Sequence, residues 1–87
     1  MANHKDAIKR NKQNERRRIR NRHYRTKMRN QIKVVRSAVA DGDSATAQAE
    51  FTKAVSVIQR NVSKGIIHRN QAARKVSRLH KAVAALG

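Results

Sequence analysis

The sequence predicts an all-α protein, a three-helix bundle whose first helix is long, highly basic and projects beyond the bundle. Proline is absent from the 87 residues, and apolar residues recur at spacings of three and four in three segments. Isolated glycines, Gly42 and Gly65, lie where these segments end. Because the turns are short, neighbouring helices are expected to run antiparallel. Residues 1–87 are therefore expected to form one domain, with a basic helical extension (1–23) and a bundle (24–87).

The first predicted helix, from Asn3 to Val39, changes character at Tyr24. Asn3 is expected to cap its first turn. Before Tyr24 the cations are spread around the whole circumference, so no face is apolar enough to pack against protein. From there on, an apolar stripe indicates a protein partner; it consists of Tyr24, Met28, Ile32, Val35 and Val39. At a rise of about 1.5 Å per residue the helix would span roughly 54 Å, about twice the second helix, so its first half must project.

The second predicted helix runs from about Ser44 to about Val62, and the third begins around His68. Asp43 is a suitable N-cap for the second helix, and Gly65 is expected to end it. Phe51, the only aromatic residue in this segment, is the expected centre of the core. The third helix carries an apolar stripe of Ala72, Val76, Leu79, Val83 and Leu86, and a separate basic stripe of Arg74, Arg78 and Lys81.

Positive charge is the dominant chemical feature of the chain. The formal net charge is +17, and residues 5–36 contain fourteen Lys or Arg against two acids. Solvated surfaces usually mix both signs, whereas an excess of one sign repels itself until a polyanion neutralises it. Arginine adds planar guanidinium groups that suit bidentate contacts with phosphate. The sequence therefore predicts a polyanion-binding protein, with nucleic acid as the default partner.

Other classes of function find little support. The five acids form no pair suited to acid-base chemistry, and the four histidines lack both metal-site spacing and cysteine companions. The glycines are isolated, so no loop could hold a nucleotide cofactor. No apolar run approaches the roughly 18 residues of a membrane span, and the N-terminus lacks the apolar region of a signal peptide. We therefore expect a cytoplasmic protein that is not an enzyme, has no cofactor, metal, membrane or small-molecule partner, and does not homo-oligomerise.

Physical reasoning alone leaves the polyanion open. A helix covered with arginine suits A-form RNA, whose base edges are hidden, because it can bind the backbone and bridge several segments. The alternative is a histone-like architectural DNA-binding protein, which would be expected to show an apolar wedge or a dimer seam. Binding to anionic lipid is a third possibility, disfavoured because the basic half has almost no apolar face. Tyr24 is expected to pack within its stripe, with stacking on a base as the alternative.

Three segments resemble the S-twenty family of small-subunit ribosomal proteins in bacteria and plastids. They are residues 1–10 (MANHKDAIKR), 14–22 (NERRRIRNR) and 65–74 (GIIHRNQAAR). The third is the most specific, because charge bias alone does not produce its Gly, Ile-His and Ala-Ala positions. The chain departs from the family at His4, where an apolar residue is frequent, and at Arg69, where Lys is frequent.

The resemblance implies a non-enzymatic ribonucleoprotein component that functions in translation. Its first helix would insert among helices of 16S rRNA, bind the 5′ domain and the penultimate stem directly, and help the small ribosomal subunit to fold and assemble. The implied RNA contacts on the first helix are Lys5, Lys9, Arg10, Lys12, Arg16, Arg17, Arg18, Arg20, Arg22, Arg25 and Arg29. A second RNA face at the start of the third helix would comprise His68, Arg69, Asn70, Arg74 and Arg78.

Overall fold

The computed structural model describes residues 2–86, with side chains from residue 5 onward. Three helices follow in order, α1 (Ala2–Ala40), α2 (Ser44–Ser63) and α3 (Arg69–Ala84), and this described part contains no strand. The predicted all-α fold with a long first helix is therefore confirmed. One detail is wrong: α1 already begins at Ala2, so Asn3 lies within the helix instead of preceding it. The Asn3 side chain itself lies outside the described residues, as do Met1 and Gly87.

The helices pack as antiparallel neighbours around the second half of α1. Gln31 of α1 contacts Glu50 near the start of α2, whereas Asn61 near the end of α2 contacts Tyr24. At the far end of the bundle, Phe51 of α2 lies against His80 late in α3. These pairings require α2 to run opposite to both other helices, as the short turns predict.

The core is small and consists mainly of aliphatic side chains. Val35, Ile58 and Leu79, one from each helix, are its largest fully buried apolar side chains. Phe51 was expected at the centre, and that prediction is wrong because the ring is only half-buried. It lies in the early turns of α2 and faces the last turns of α3, so it closes the end of the bundle with its centroid 5.9 Å from that of His80. The apolar pattern of a single helix does not indicate which of its turns packs at the centre of the bundle.

Asn61 is a buried polar side chain that links α2 to α1. It is 1% exposed, and its Nδ2 donates to the Tyr24 carbonyl oxygen at 3.4 Å and lies 3.3 Å from Met28 Sδ. Because a buried amide without partners is costly, these contacts favour one alignment of the two helices. The alignment is set where the apolar stripe of α1 begins.

Both glycine stops have the geometry expected from the sequence. Gly42 and Gly65 have φ values of +72° and +73°. At the end of α2, Gly65 N donates to Val62 O at 2.9 Å and Ile66 N donates to Asn61 O at 2.9 Å. This pair of bonds is a Schellman motif, and Ile66 supplies its buried apolar contact. Asp43 caps α2 as predicted, accepting from Thr46 N at 3.1 Å through Oδ1.

Gln31 and Glu50 form a polar bridge between α1 and α2. Gln31 Nε2 donates to Glu50 Oε2 at 2.7 Å and to the Glu50 carbonyl oxygen at 3.1 Å. Lys53 Nζ lies 3.4 Å from Glu50 Oε1. These contacts favour the ionised carboxylate, with the Gln31 hydrogen bond as the largest cause, and lower the pKa of Glu50 below its ordinary value of 4.5.

Replacing either turn glycine with alanine is expected to lower the free energy of unfolding by about 1 to 2 kcal/mol, because an L residue is strained at positive φ. A Cβ at either position would meet nothing within 4 Å, so a clash cannot contribute. Gly65→Asn is the matched control, since Asn tolerates this conformation better than Ala. Urea unfolding of the variants measures the effect. Equal stability of Gly65→Ala and the wild type would contradict the assigned cap.

The lowered pKa of Glu50 predicts a defined pH dependence. The ionised carboxylate stabilises the fold above pH 4.5, and this contribution is lost as the pH falls through the lowered pKa of the folded state. Glu50→Gln mimics the protonated form. The wild type is therefore expected to be more stable than Glu50→Gln at neutral pH, with the two unfolding curves converging below pH 4.5. A difference that stays constant down to acid pH would contradict the bridge.

Candidate nucleic-acid interface

The first half of α1 projects from the bundle as a bare helix. Every side chain from residue 5 to residue 20 is exposed, and none hydrogen bonds to α2 or α3. Ile19, one of two large apolar residues within this basic stretch, is 61% exposed. The molecule is 65 Å long and only 21 Å across its second axis, which reflects this projection.

The cations of this projecting segment face several directions at once. Successive helical residues differ in direction by about 100°, so Arg16, Arg17 and Arg18 point to three different sides. Lys12 and Arg20 lie close to the direction of Arg16, one turn before and one turn after it. A helix of this kind can contact phosphates on more than one side, which a one-sided basic stripe could not do.

Few of these charges are compensated within the protein. Among the described side chains the structure contains one ion pair, between Lys53 and Glu50, and neither residue belongs to the predicted RNA-binding set. The acids of the described part of α1 are Asp6 and Glu15, and both are exposed. The electrostatic repulsion along α1 is therefore left for a partner to neutralise.

All sixteen predicted RNA-binding residues are exposed. Eleven lie on α1: Lys5, Lys9, Arg10, Lys12, Arg16, Arg17, Arg18, Arg20, Arg22, Arg25 and Arg29. The other five lie at or after the α2–α3 turn: His68, Arg69, Asn70, Arg74 and Arg78. Exposure makes each of them available to a ligand.

His68 has a structural role that was not predicted from the sequence. It is the N-cap of α3, and its Nδ1 accepts a hydrogen bond from the backbone N–H of Asn70 at 3.1 Å. Only Nε2 then remains to contact an external group. The Asn70 side chain is exposed beside it. Capping by histidine is not apparent from sequence, because Ser, Thr, Asp and Asn are the usual caps.

A cleft of about 300 Å³ lies between α1 and α3. Arg25 and Arg29 line it from α1, and Gln71 and Lys75 line it from α3. Arg25 Nη2 donates to the Ile66 carbonyl oxygen at 3.4 Å, which holds this guanidinium beside the α2–α3 turn. Two residues of the predicted α1 face therefore share a cleft with Gln71 and Lys75, which lie on α3 close in sequence to the predicted second face.

Tyr24 lies where the bare segment of α1 enters the bundle. Its ring is half-buried, and Lys64 Nζ lies 4.8 Å from the ring centroid. The His23 ring meets it edge-on with centroids 5.8 Å apart. Because a protein cation already lies over the ring, the geometry favours the packing interpretation over base stacking.

The described side chains include no group of three His, Asp or Glu residues placed to hold a metal ion. His23, His68 and His80 instead contact, respectively, Tyr24, the backbone of α3 and Phe51. Over residues 2–86, no helix combines the length and the apolar character needed to cross a bilayer.

The projecting segment is expected to exchange its amide hydrogens much faster than the bundle in the free protein. Every side chain of residues 5–20 is exposed and none hydrogen bonds to α2 or α3. Like charges such as Arg16 and Arg20 cost about 0.2 to 0.5 kcal/mol per pair. Amides of residues 28–39 should be protected by at least about 100-fold more, equivalent to about 2.8 kcal/mol of local stability. Hydrogen exchange at low salt measures this ratio. Equal protection of the two segments would contradict the expected fraying.

Comparison with known proteins identifies the family. The sequence model of ribosomal protein S20 matches residues 2–84. The small ribosomal subunit protein bS20 of Oleidesulfovibrio alaskensis is 55% identical over 83 residues, covering 95% of each chain. Its counterpart from Syntrophobacter fumaroxidans is 52% identical over 86 residues, which are 99% of this chain and 100% of that protein. The bS20 protein of Geotalea uraniireducens is 51% identical over the full length of both chains. The family-model match over residues 2–84 and these relatives, about half identical over nearly the whole chain, show that the chain belongs to the ribosomal protein S20 family.

Proposed function

We propose that this protein is a structural constituent of the small ribosomal subunit that binds 16S rRNA directly. Its RNA sites would be the 5′ domain and the penultimate stem, which the family resemblance implies. Its place would be the ribosome in the cytoplasm, where it helps the subunit to fold and assemble. Relatives about half identical over nearly the whole chain are named small ribosomal subunit proteins. The family is structural and non-enzymatic.

The observation that best supports RNA binding is the projecting segment of α1, which is exposed and has cations on all sides. A helix with exposed, unpaired cations on every side and no side-chain hydrogen bond to the other helices is suited to a site surrounded by phosphates. Its neighbours in such a site are expected to be RNA helices that would otherwise repel one another. Residues 1–23 would act as the inserted extension, and residues 24–87 as the bundle that anchors it.

The proposed mechanism is neutralisation coupled to ordering. Each Lys or Arg that meets a phosphate releases condensed counterions, which makes binding favourable and salt-dependent. Part of this gain offsets the ordering of the extension, about 1 to 2 kcal/mol per residue for the backbone. The protein then fixes the relative placement of the RNA segments that it touches. No bond is made or broken.

Replacing five clustered arginines of the extension with glutamine tests this proposal; they are Arg16, Arg17, Arg18, Arg20 and Arg22. Glutamine retains helix propensity and removes the charge. At about 0.7 to 0.9 per phosphate contact, the slope of log affinity against log salt should become shallower by roughly 3.5 to 4.5. The measurement is binding to a 16S rRNA fragment that covers the 5′ domain.

A charge-matched control replaces with glutamine five exposed cations outside the predicted interface, namely Lys27, Lys33, Arg36, Lys53 and Arg60. It has the same net charge as the first variant, but its salt slope should change by less than about 1. Equal slopes for the two variants would contradict the proposed interface. Binding to duplex DNA of equal phosphate content tests the alternative function as an architectural DNA-binding protein. Wild-type binding to DNA as tight as to RNA would favour an architectural DNA-binding protein.

A further inference from the structure

We propose that the cleft between α1 and α3 is a preformed binding site for the ribose-phosphate backbone of one RNA strand, with Lys75 and Gln71 as members that the sequence analysis did not identify. This inference rests on the proposed function, because it assigns the RNA ligand to a particular place on the bundle. It also gives the bundle an RNA contact of its own, separate from the projecting segment of α1.

The cleft combines an apolar floor with a cationic rim. Met28 and Ile66 are buried at 3% and 5% exposure, and together with half-buried Ile67 they line the cleft. Arg25 and Arg29 on α1 and Lys75 on α3 also line it, with Gln71 beside Lys75. An apolar floor suits the face of a ribose, whereas cations and an amide suit phosphate oxygens and the 2′-hydroxyl.

Its cations are already held close together by the fold. Lys75 is half-buried, which is typical of a lysine whose aliphatic stem packs along the protein surface. Arg25 donates to the Ile66 carbonyl oxygen and is thereby held at one end of the cleft. Among the described residues, no carboxylate lines the cleft. Holding like charges together is unfavourable in the free protein, and an incoming phosphate relieves the repulsion.

The same surface continues along α3. A second cavity of about 210 Å³ is lined by Gln71, Arg74, Lys75 and Arg78, and it shares Gln71 and Lys75 with the cleft. Arg74 and Arg78 are one helical turn apart, about 6 Å along the axis. A strand that crosses the cleft from α1 can therefore continue along α3 over several phosphates.

A double-mutant cycle across the cleft in the full-length protein tests this proposal. The variants are Arg29→Gln, Lys75→Gln and their combination, measured for binding to the 16S rRNA 5′-domain fragment. Each single change should make the salt slope shallower by about 1. Because both side chains would hold the same strand, the double variant should lose less affinity than the product of the single losses, by at least about threefold. Circular dichroism confirms that each variant retains the helical fold.

Arg60→Gln is the matched control, since Arg60 is exposed on α2 and does not line the cleft. Combined with Arg29→Gln, its effect should multiply to within about twofold. A Lys75→Gln slope equal to that of Arg60→Gln, or independent effects of Arg29 and Lys75, would overturn the cleft proposal alone. Failure of the wild type to prefer the rRNA fragment over duplex DNA would instead overturn the proposed function.

Discussion

Uncompensated positive charge along α1 is the constraint on which the rest of this structure depends. The described part of the protein contains one ion pair, so almost all of the 22 Lys and Arg residues are left to solvent or to a partner. A helix with cations on every side cannot be buried against protein, and it must leave the bundle. The fold therefore divides α1 into a segment that projects from the bundle and a segment that packs within it.

The second half of α1 packs in the bundle and must fix the direction of the long projecting half, although the hydrophobic core is small. Val35 provides a fully buried apolar contact, but aliphatic packing alone tolerates small rotations and shifts of a helix. Hydrogen bonds fix the alignment of α1 and α2 at two positions. Gln31 bonds to Glu50 near one end of the contact between these helices, and Asn61 bonds to the Tyr24 carbonyl near the other. Both lie between α1 and α2, so the direction of the projecting segment is set by this pair of helices.

Local patterns in the sequence were sufficient to predict the three helices and the two turns that join them, because helical periodicity and glycine stops depend on neighbouring residues. The exposed cations of the interface were predicted for the same reason, since charge excess is visible without a fold. Features that depend on packing could not be predicted. Phe51 was placed at the centre of the core, Asn61 was overlooked as a buried link, and Arg29 and Lys75 were not expected to share one cleft. Each of these features depends on which turns of different helices meet. Periodicity in the sequence indicates the apolar face of one helix, but it does not indicate how that helix is aligned along its neighbours.

The most direct test of the central claim is the helix content of the protein, measured by circular dichroism with and without the 16S rRNA 5′-domain fragment. Duplex DNA of equal phosphate content serves as the comparison. If RNA phosphates neutralise α1, the helix signal should rise sharply on addition of the rRNA fragment and not with DNA. An equal rise with both nucleic acids would indicate a general polyanion-binding protein without a preference for the rRNA fragment. No rise with the rRNA fragment would contradict the coupling of charge neutralisation to helix order.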